Sequence, residues 1–120
     1  MSGVNKILLV GHLGKDPDFR CLDNQVATVS FPLATSEFVM KDGVRIEHTE
    51  WHYVVMWRGL ATSAANILKK GMLVYIEGKC RTRSFADREG IYRHTTEIVA
   101  DYYSILGKTG SLETSGALKK

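Results

Sequence analysis

The sequence lacks the features that mark membrane-spanning and secreted proteins. No apolar run in its 120 residues approaches the roughly 18 residues that a membrane-spanning helix requires. The first six residues lack the apolar stretch of a signal peptide, so we expect a cytoplasmic protein. The composition, 44% hydrophobic and 24% charged, argues against a disordered chain, and the length suits one domain.

Cysteine is scarce, and its spacing excludes the common metal motifs. Cys21 and Cys80 are the only two cysteines, and neither belongs to a CxxC pair or to a zinc-finger pattern with histidine. We expect two reduced thiols in a cytosolic protein, with a disulfide or a redox pair as the alternative.

A strong excess of one charge is also absent. The formal net charge is +3, but residues 1–106 carry only +1 and the last 14 residues carry +2. Net charge therefore cannot identify a polyanionic partner. A nucleic-acid-binding surface would need its cations gathered on one face.

The sequence contains none of the common catalytic motifs. GxSxG, Walker A, HExxH and GxGxxG are all missing. His48, Glu50 and His52 alternate along one strand-like segment, a pattern that could hold a metal, but no third histidine or cysteine stands at a readable spacing. A structural or interface role for His52 is the simpler interpretation, so we expect no enzyme, no metal and no cofactor.

Hydrophobic periodicity predicts five strands and one helix. The predicted strands cover residues 4–10, 26–36, 45–58, 73–85 and 91–106, and the last strand contains a break near Asp101. Residues 60–70 have helical spacing, with Lys69 and Lys70 in the last turn and Gly71 just past the end. Pro32 lies inside the second strand, where the missing N–H requires an edge or a bulge.

This order of elements is typical of one fold class. Three strands, a helix and two strands predict an all-β OB-fold, a five-stranded Greek-key barrel with one helix between strands 3 and 4. The predicted domain covers residues 1–106. Residues 107–120 are rich in Gly, Ser, Thr and Lys without periodicity, which predicts a short flexible C-terminal tail.

Basic and aromatic side chains alternate along two of the predicted strands. Residues two apart in a strand share a face, so two aligned sets are expected. The sets are Trp51, Tyr53 and Trp57 on the third strand, and Tyr75, Lys79, Arg81, Arg83 and Phe85 on the fourth. Residues 79–93 hold five basic and two acidic side chains. Single-stranded nucleic acid requires this combination, because cations follow the phosphates while rings stack on bases. Core packing of Trp51 or Trp57 is the alternative interpretation.

Several motifs, taken together and in order, resemble a known family over about residues 3–106. They are Gly3-Val4-Asn5-Lys6, Leu8-Leu9-Val10-Gly11, Leu13-Gly14-Lys15-Asp16-Pro17, Leu33-Ala34-Thr35-Ser36, Thr49-Glu50-Trp51-His52, Leu68-Lys69-Lys70-Gly71, Val74-Tyr75-Ile76-Glu77-Gly78, Arg81-Thr82-Arg83 and Thr95-Thr96-Glu97. Each is weak alone, but the set is specific. The chain resembles the bacterial single-stranded DNA-binding proteins of the homotetrameric OB-fold type.

The resemblance implies sequence-independent binding of single-stranded DNA by a tetramer, with a dimer as the alternative. It implies roles in replication, recombination and repair, and a cytoplasmic, nucleoid-associated location. It assigns base stacking to Trp51, Trp57 and Phe85. Its backbone-contacting positions fall on Lys6, Arg20, Lys69, Lys70, Arg81, Arg83 and Arg93, and Lys79 joins them from the basic strand. His52 and Tyr75 fall at positions of subunit contact.

Two departures from the family pattern limit the transfer. A tryptophan often follows the Ala-Thr-Ser-Glu stretch, and its direct match here is Val39. The neighbouring Phe38 would supply the ring only if a bulge turned it. The sequence also ends in Lys119-Lys120 rather than an acidic tip, so tip-mediated recruitment of replication and repair proteins is not carried over.

Two other functions compete with direct binding of single-stranded DNA. An accessory OB-fold protein would bind DNA weakly and dock on a helicase or initiator, and loss of the stacking rings would favour it. Three rings are retained here. A metal-dependent enzyme would rest on the His48–His52 pattern alone.

Overall fold

The computed structural model describes residues 2–108, which form six strands and one helix. The elements are β1 (Ile7–Leu13), β2 (Asp18–Cys21), β3 (Ala27–Lys41), β4 (Val44–Trp57), α1 (Arg58–Ile67), β5 (Leu73–Ala86) and β6 (Tyr92–Gly107). β6 therefore ends one residue beyond the predicted domain boundary, and residues 109–120 of the predicted tail lie outside the described residues.

Five of the strands close into a barrel in the order β1-β5-β6-β4-β3, and β3 returns to β1. The paired neighbours are antiparallel except β4 and β6, which run parallel at the pairs Val54–Ile98 and Val55–Val99. This closed barrel, with its helix between the third and fourth barrel strands, confirms the predicted fold.

The sixth strand, β2, corrects the prediction of five strands, none of which covers residues 11–25. β2 pairs with the first residues of β3, from Asp18–Ser30 to Cys21–Ala27. All four of its residues are exposed, so it has no buried face and no hydrophobic alternation. Its pairing with β3, rather than its own composition, makes it a strand, and that pairing is invisible to periodicity.

Alternate residues of each barrel strand fill the core. Val29, Phe31 and Leu33 face inward from β3, and Val54 and Met56 do so from β4. Matching inward positions on β1, β5 and β6, together with Ala61 and Ala64 of the helix, complete the apolar cluster. The period of two along the strands is therefore the pattern that specifies the barrel.

The helix ends three residues earlier than its predicted end at Lys70. Leu68 is extended, with φ −79° and ψ 145°, and its side chain is fully buried in the core. Because the chain leaves the helix to bury Leu68, Lys69 and Lys70 lie in the following turn rather than in the last helical turn. Gly71 adopts φ +90°, and its N–H donates to the Leu13 carbonyl at 2.8 Å.

Two irregular strand positions agree with expectation. Pro32 lies between the part of β3 that pairs with β2 and the part that pairs with β1, and its carbonyl accepts from Gly14 N–H at 2.9 Å. The missing N–H therefore falls in a gap between two ladders. On β6, the pairs Glu77–Tyr102 and Gly78–Ala100 leave Asp101 unpaired, which is the predicted break.

Among residues 2–108, no helix is long and apolar enough to cross a membrane. Cys21 and Cys80 are both free and exposed, as the sequence predicts. β3 with β4, and β5 with β6, continue past the barrel as two hairpins whose outer residues are exposed. The β3–β4 hairpin turns at Asp42 and Gly43, and the β5–β6 hairpin turns over residues 87–91.

Two glycines provide a matched test of the packing between β5 and β6. A Cβ at Gly78 would lie 2.2 Å from the Val99 carbonyl oxygen and 2.8 Å from the Ala100 Cα. We expect Gly78→Ala to lower the free energy of unfolding by about 1–3 kcal/mol or more, because backbone atoms must shift to admit the methyl group. Chemical denaturation followed by circular dichroism measures the change.

The control is Gly59→Ala in the first turn of α1, where no atom lies within 4 Å of the added Cβ. We expect this variant to be as stable as the parent or slightly more stable, since alanine favours the helix. Equal stability of the two variants would contradict the close approach of β5 and β6 at Gly78.

Candidate nucleic-acid interface

An open groove of about 310 Å³ lies between β2, β3 and β4 on one side and β5 and β6 on the other. Its walls contain one predicted stacking residue, Trp57, and two predicted phosphate contacts, Arg20 and Arg83. The complete lining is Asp18, Arg20, Leu22, Thr28, Ser30, Tyr53, Val55, Trp57, Arg83 and Glu97. The groove therefore combines an indole, a phenol, two guanidinium groups and two carboxylates in one solvent-open channel. Arg20 Nε donates to Asp18 Oδ2 at 3.2 Å, in an exposed ion pair.

Trp57 lies where β4 passes into α1, half-buried at the edge of the groove. Tyr53 and Val55 share its strand face, because residues two apart alternate together. Val54 and Met56 occupy the opposite face and are fully buried in the core. Trp57 therefore faces the groove and not the core, so core packing is excluded for this ring, while base stacking stays a prediction.

Trp51 is 62% exposed, so core packing is excluded for this ring as well. Gly14 lies directly beneath it, since a Cβ on Gly14 would come within 2.5 Å of the indole Cζ3 and 2.9 Å of Cη2. The absence of a side chain at Gly14 thus leaves room for the indole at the end of β1, while most of the ring stays exposed.

Phe38 lies on the same face of the β3–β4 hairpin as Trp51. The pairing of β3 with β4 runs from Thr28 to Lys41 without a register shift, and Ala34 pairs with Trp51. Phe38 is four residues from Ala34, so alternation turns it to that face, while Val39 faces the other side. The ladder therefore has no bulge here, and Phe38 does not take the orientation of Val39, the residue that matches the family tryptophan. The Arg45 guanidinium carbon lies 3.9 Å from the Phe38 ring centroid and covers one side of the ring.

Phe85 and Arg93 form a cross-strand pair near the tip of the β5–β6 hairpin. Asp87 organises this tip: its Oδ2 accepts from Arg93 Nε at 2.8 Å, and its Oδ1 accepts the N–H groups of Glu89 and Ile91. The Arg93 hydrogen bond, with the Ile91 N–H second, holds the pKa of Asp87 below its ordinary value. Arg93 is therefore ion-paired at the tip, while Phe85 is half-exposed beside it.

Arg81 and Arg83 flank a buried carboxylate, Glu97. Arg81 pairs directly with Glu97 across β5 and β6, and its Nε donates to Glu97 Oε2 at 3.1 Å. Arg81 Nη2 donates to the same oxygen, and Arg83 Nη1 lies 3.7 Å from Oε1. The basic strip of β5 thus includes two arginines held at one acidic anchor.

The predicted lysine contacts are spread over the molecule and do not line the groove. Lys79 is exposed on β5, and Lys69 and Lys70 are exposed after the helix. The backbone N–H of Lys70 donates to Asp16 Oδ1 at 2.8 Å. Lys6 is ion-paired with Glu77 Oε2 at 2.6 Å, so its ammonium group is not a free cation.

His52 and Tyr75, the predicted subunit contacts, occupy different surroundings. His52 Nε2 forms a hydrogen bond with Thr35 Oγ1 at 2.9 Å. Tyr75 donates to Glu77 Oε1 at 2.9 Å and packs edge-on against Tyr102. Hydrogen bonds from Lys6 and Tyr75 lower the pKa of Glu77. This polar cluster lies on the outer face of β1, β5 and β6.

The three residues of the possible metal pattern do not converge. His48 forms an exposed ion pair with Glu50 at 2.8 Å, whereas His52 contacts Thr35. Within residues 2–108 no group of three or more His, Cys, Asp or Glu side chains could hold a metal ion.

Sequence reasoning placed Tyr53 in the aromatic set without assigning it to the site, and it missed the roles of Arg45 and Glu97. Tyr53 lines the groove, and its alternation with Trp51 and Trp57 was a usable signal. Arg45 covers Phe38, and Glu97 anchors two arginines. The roles of Arg45 and Glu97 depend on cross-strand register, which a single sequence does not contain.

The contact between Gly14 and Trp51 can be tested with one substitution. In a Trp57→Phe background, Trp51 is the sole tryptophan. We expect Gly14→Ala to displace the indole, because the new Cβ would overlap ring atoms at 2.5 Å. The measurement is the emission maximum together with the acrylamide quenching constant, both of which should change. Gly59→Ala in the same background is the control, and an unchanged Gly14→Ala spectrum would exclude the contact.

The chain is similar to known proteins over almost its whole length. The sequence model of the single-strand binding protein family matches residues 4–106. Two strains of Neisseria meningitidis each contain a protein named single-stranded DNA-binding protein that is 44% identical over 114 residues, 94% of this chain. Single-stranded DNA-binding protein 1 of Xylella fastidiosa is 44% identical over 111 residues, 90% of this chain and 81% of its own length.

The fold is similar to a solved structure described as the Plasmodium falciparum SSB complex with single-stranded DNA. The TM-score is 0.82 and the identity 28%, covering 88% of this chain and 97% of the other. The chain spans 64% of the length of the two Neisseria relatives. The match over residues 4–106 and the 44% identity to these relatives assign the chain to the single-strand binding protein family.

Proposed function

We propose that this protein binds single-stranded DNA without sequence preference and protects it during replication, recombination and repair. The observation that carries the proposal is the groove in which Trp57 lies beside Arg20 and Arg83. An aromatic ring next to guanidinium groups matches the base and the phosphate of one nucleotide strand. The family assignment and the similar fold of a complex with single-stranded DNA support the same ligand.

The mechanism follows from what each group recognises. Every base has a π-face, so stacking on Trp57 tolerates any sequence and contributes about 1–3 kcal/mol per base. Arg20 and Arg83 bind phosphates, whose charge is the same in all sequences. A helix that reads duplex DNA lies in the major groove and is basic, whereas α1 has no basic residue in its last turn.

We propose that the bound DNA strand continues from the groove onto the two hairpins. Trp51 and Phe38 share one face of the β3–β4 hairpin, and Phe85 lies near the tip of the β5–β6 hairpin. Arg81 and Arg93 would supply phosphate contacts on β5 and β6. Lys79, Lys69 and Lys70 would supply weaker contacts from their exposed positions. Lys6, Arg20 and Arg93 are each paired with one carboxylate, Glu77, Asp18 and Asp87 respectively, so binding of a phosphate would compete with these ion pairs.

We propose that the protein assembles as a homotetramer, with a dimer as the alternative. Leu8 and Val10 of β1 are 58% and 51% exposed, and they pair with Glu77 and Tyr75, so all four share an outer face. From Ile7 to Gly11, β1 pairs with β5 only, because its pairing with β3 is confined to His12 and Leu13. This open edge, with the exposed aliphatic side chains of Leu8 and Val10 beside a polar cluster, suits a second copy of the chain. The subunit role of His52 rests on the family resemblance.

The remaining parts of the proposal concern domain and setting. Residues 1–106 would form the binding domain and residues 107–120 a short tail. The protein would act in the cytoplasm with the nucleoid, by binding alone and without turnover or cofactor. Replication and repair proteins are its candidate partners.

Trp57 provides the direct test of base stacking. We expect Trp57→Ala to weaken binding of oligo-dT by about 1–3 kcal/mol while the protein remains folded, because the ring faces the groove and not the core. Fluorescence quenching of Trp51 or anisotropy of labelled oligo-dT measures the affinity, and circular dichroism checks the fold.

Trp57→Phe is the matched control, and we expect it to retain most of the affinity. The affinity of the parent should also fall as salt rises, since phosphate contacts release counterions. Absence of oligo-dT binding by assembled parent protein at low salt would overturn the proposed function. Loss of folding in Trp57→Ala would show that the ring is needed for core packing.

Val10 tests the proposed assembly. We expect Val10→Glu to shift the protein from tetramer to smaller species in size-exclusion chromatography with light scattering, because it replaces an exposed aliphatic side chain of that outer face with a charge. Val44→Glu is the control, since Val44 is 58% exposed on the β3–β4 hairpin and lies away from that face. An unchanged mass for Val10→Glu would show that the interface between subunits does not include Val10.

A further inference from the structure

Glu97 is a buried charge in a region that would receive a polyanion. Its side chain is 1% exposed, and it is the only charged residue among the buried ones described. It lines the groove together with Trp57 and Arg83. A negative charge next to bound phosphates would repel them and weaken binding. Its presence in the groove therefore suggests that Glu97 also has an effect that favours binding.

The geometry of Arg81 indicates what that role is. A guanidinium has five N–H donors in a rigid fork, and Arg81 directs its Nε and one Nη2 hydrogen to Glu97 Oε2. The other three donors are left for another partner. Burial of the carboxylate and two donors on one oxygen fix the plane and direction of this fork.

Arg83 lies near the other oxygen of the same carboxylate. Its Nη1 lies 3.7 Å from Oε1, an ion-pair distance rather than a hydrogen bond. The arginine side chains are 43% and 62% exposed while the carboxylate is covered. The pair therefore covers Glu97 and presents the remaining N–H groups outward.

We propose that Glu97 is a positioning residue for DNA binding: it orders Arg81 and Arg83 before the strand arrives, so that their free donors meet phosphates. Glu97 itself touches no phosphate. This inference rests on the proposed function. Ordering a long side chain in advance removes a cost that would otherwise fall on binding. The free energy saved by ordering the arginines in advance is larger than the repulsion between Glu97 and the phosphates.

Glu97→Gln separates positioning from simple electrostatics, because it keeps the shape and removes the charge. If Glu97 only opposes phosphate, the variant binds oligo-dT more tightly and with a steeper dependence on salt, since two arginines are released. If Glu97 positions the arginines, binding weakens by about threefold to tenfold, and the salt dependence does not steepen.

Glu89→Gln is the matched control, because it removes an exposed carboxylate from the same β5–β6 hairpin. We expect it to leave the affinity unchanged or to increase it, the opposite of Glu97→Gln. Parallel decreases in both variants would overturn the proposal, because they would report only a general effect of charge on the hairpin.

A double-mutant cycle links the effect to the guanidinium fork. Arg81→Lys keeps the charge but loses the fork, so we expect the further change Glu97→Gln to have much less effect in that background. Additive effects would contradict positioning through Arg81.

Glu97→Asp keeps the charge but withdraws the carboxylate from the arginines, so we expect it to weaken binding as well. This variant replaces Glu97→Gln in the test if Glu97→Gln fails to fold.

An NMR measurement without DNA tests the positioning role of Glu97 independently of the proposed function. We expect the Arg81 Nε–H signal in NMR spectra of the parent to be shifted by its hydrogen bond and to lose that shift in Glu97→Gln. An unshifted parent signal would overturn the positioning role. Parent protein that binds oligo-dT while Glu97→Gln binds equally well or better would overturn this inference alone and leave the proposed function intact.

Discussion

The two residue pairs between β1 and β3, His12–Ala34 and Leu13–Leu33, close the barrel. Backbone hydrogen bonds gather around them: Leu13 N–H donates to Met72, Gly71 N–H donates to Leu13, and Gly14 N–H donates to Pro32. Gly11 allows this approach, since a Cβ there would lie 2.2 Å from the Ala34 carbonyl oxygen. Without this contact, β3 and β4 would separate from β1, and the core between them would open to water.

The same closure determines where the groove and the exposed rings lie. It brings the end of β1 beneath β4, so that Gly14 meets the Trp51 ring. The parallel pairing of β4 with β6 positions the other wall of the groove. Val55 of β4 pairs with Val99 of β6, two residues from Glu97. The groove is thus the outer side of the core: Val54, Met56 and Ile98 pack inward, while their immediate neighbours face the channel.

Most of the fold could be predicted from sequence because the core strands alternate with a clear period of two, as at Val29, Phe31 and Leu33. β2 could not, since it has no buried face. The end of α1 was placed too late because Lys69, Lys70 and Gly71 imitate a helix terminus, whereas burial of Leu68 in the core decides where the helix stops.

The candidate site was predictable to the extent that it depends on alternation. Trp57 and Arg83 could be assigned to one kind of surface, but their meeting in one groove depends on the barrel. The neutralisation of Lys6 by Glu77 joins residues 71 positions apart, and the anchoring of Arg81 by Glu97 depends on the register of β5 with β6. Both pairings are properties of strand neighbours that no single segment reveals.

The two hairpins differ from the barrel in how their order is maintained. Beyond the barrel, residues of β3 with β4 and of β5 with β6 are exposed on both faces, so cross-strand pairs and turns hold them without a hydrophobic core. Segments with this character open locally at a lower free energy than the core does. Amide hydrogens of the hairpins would therefore exchange with solvent sooner than those of the barrel. A ligand lying across both hairpins would slow that exchange, coupling binding to local folding while the closed barrel remains unchanged.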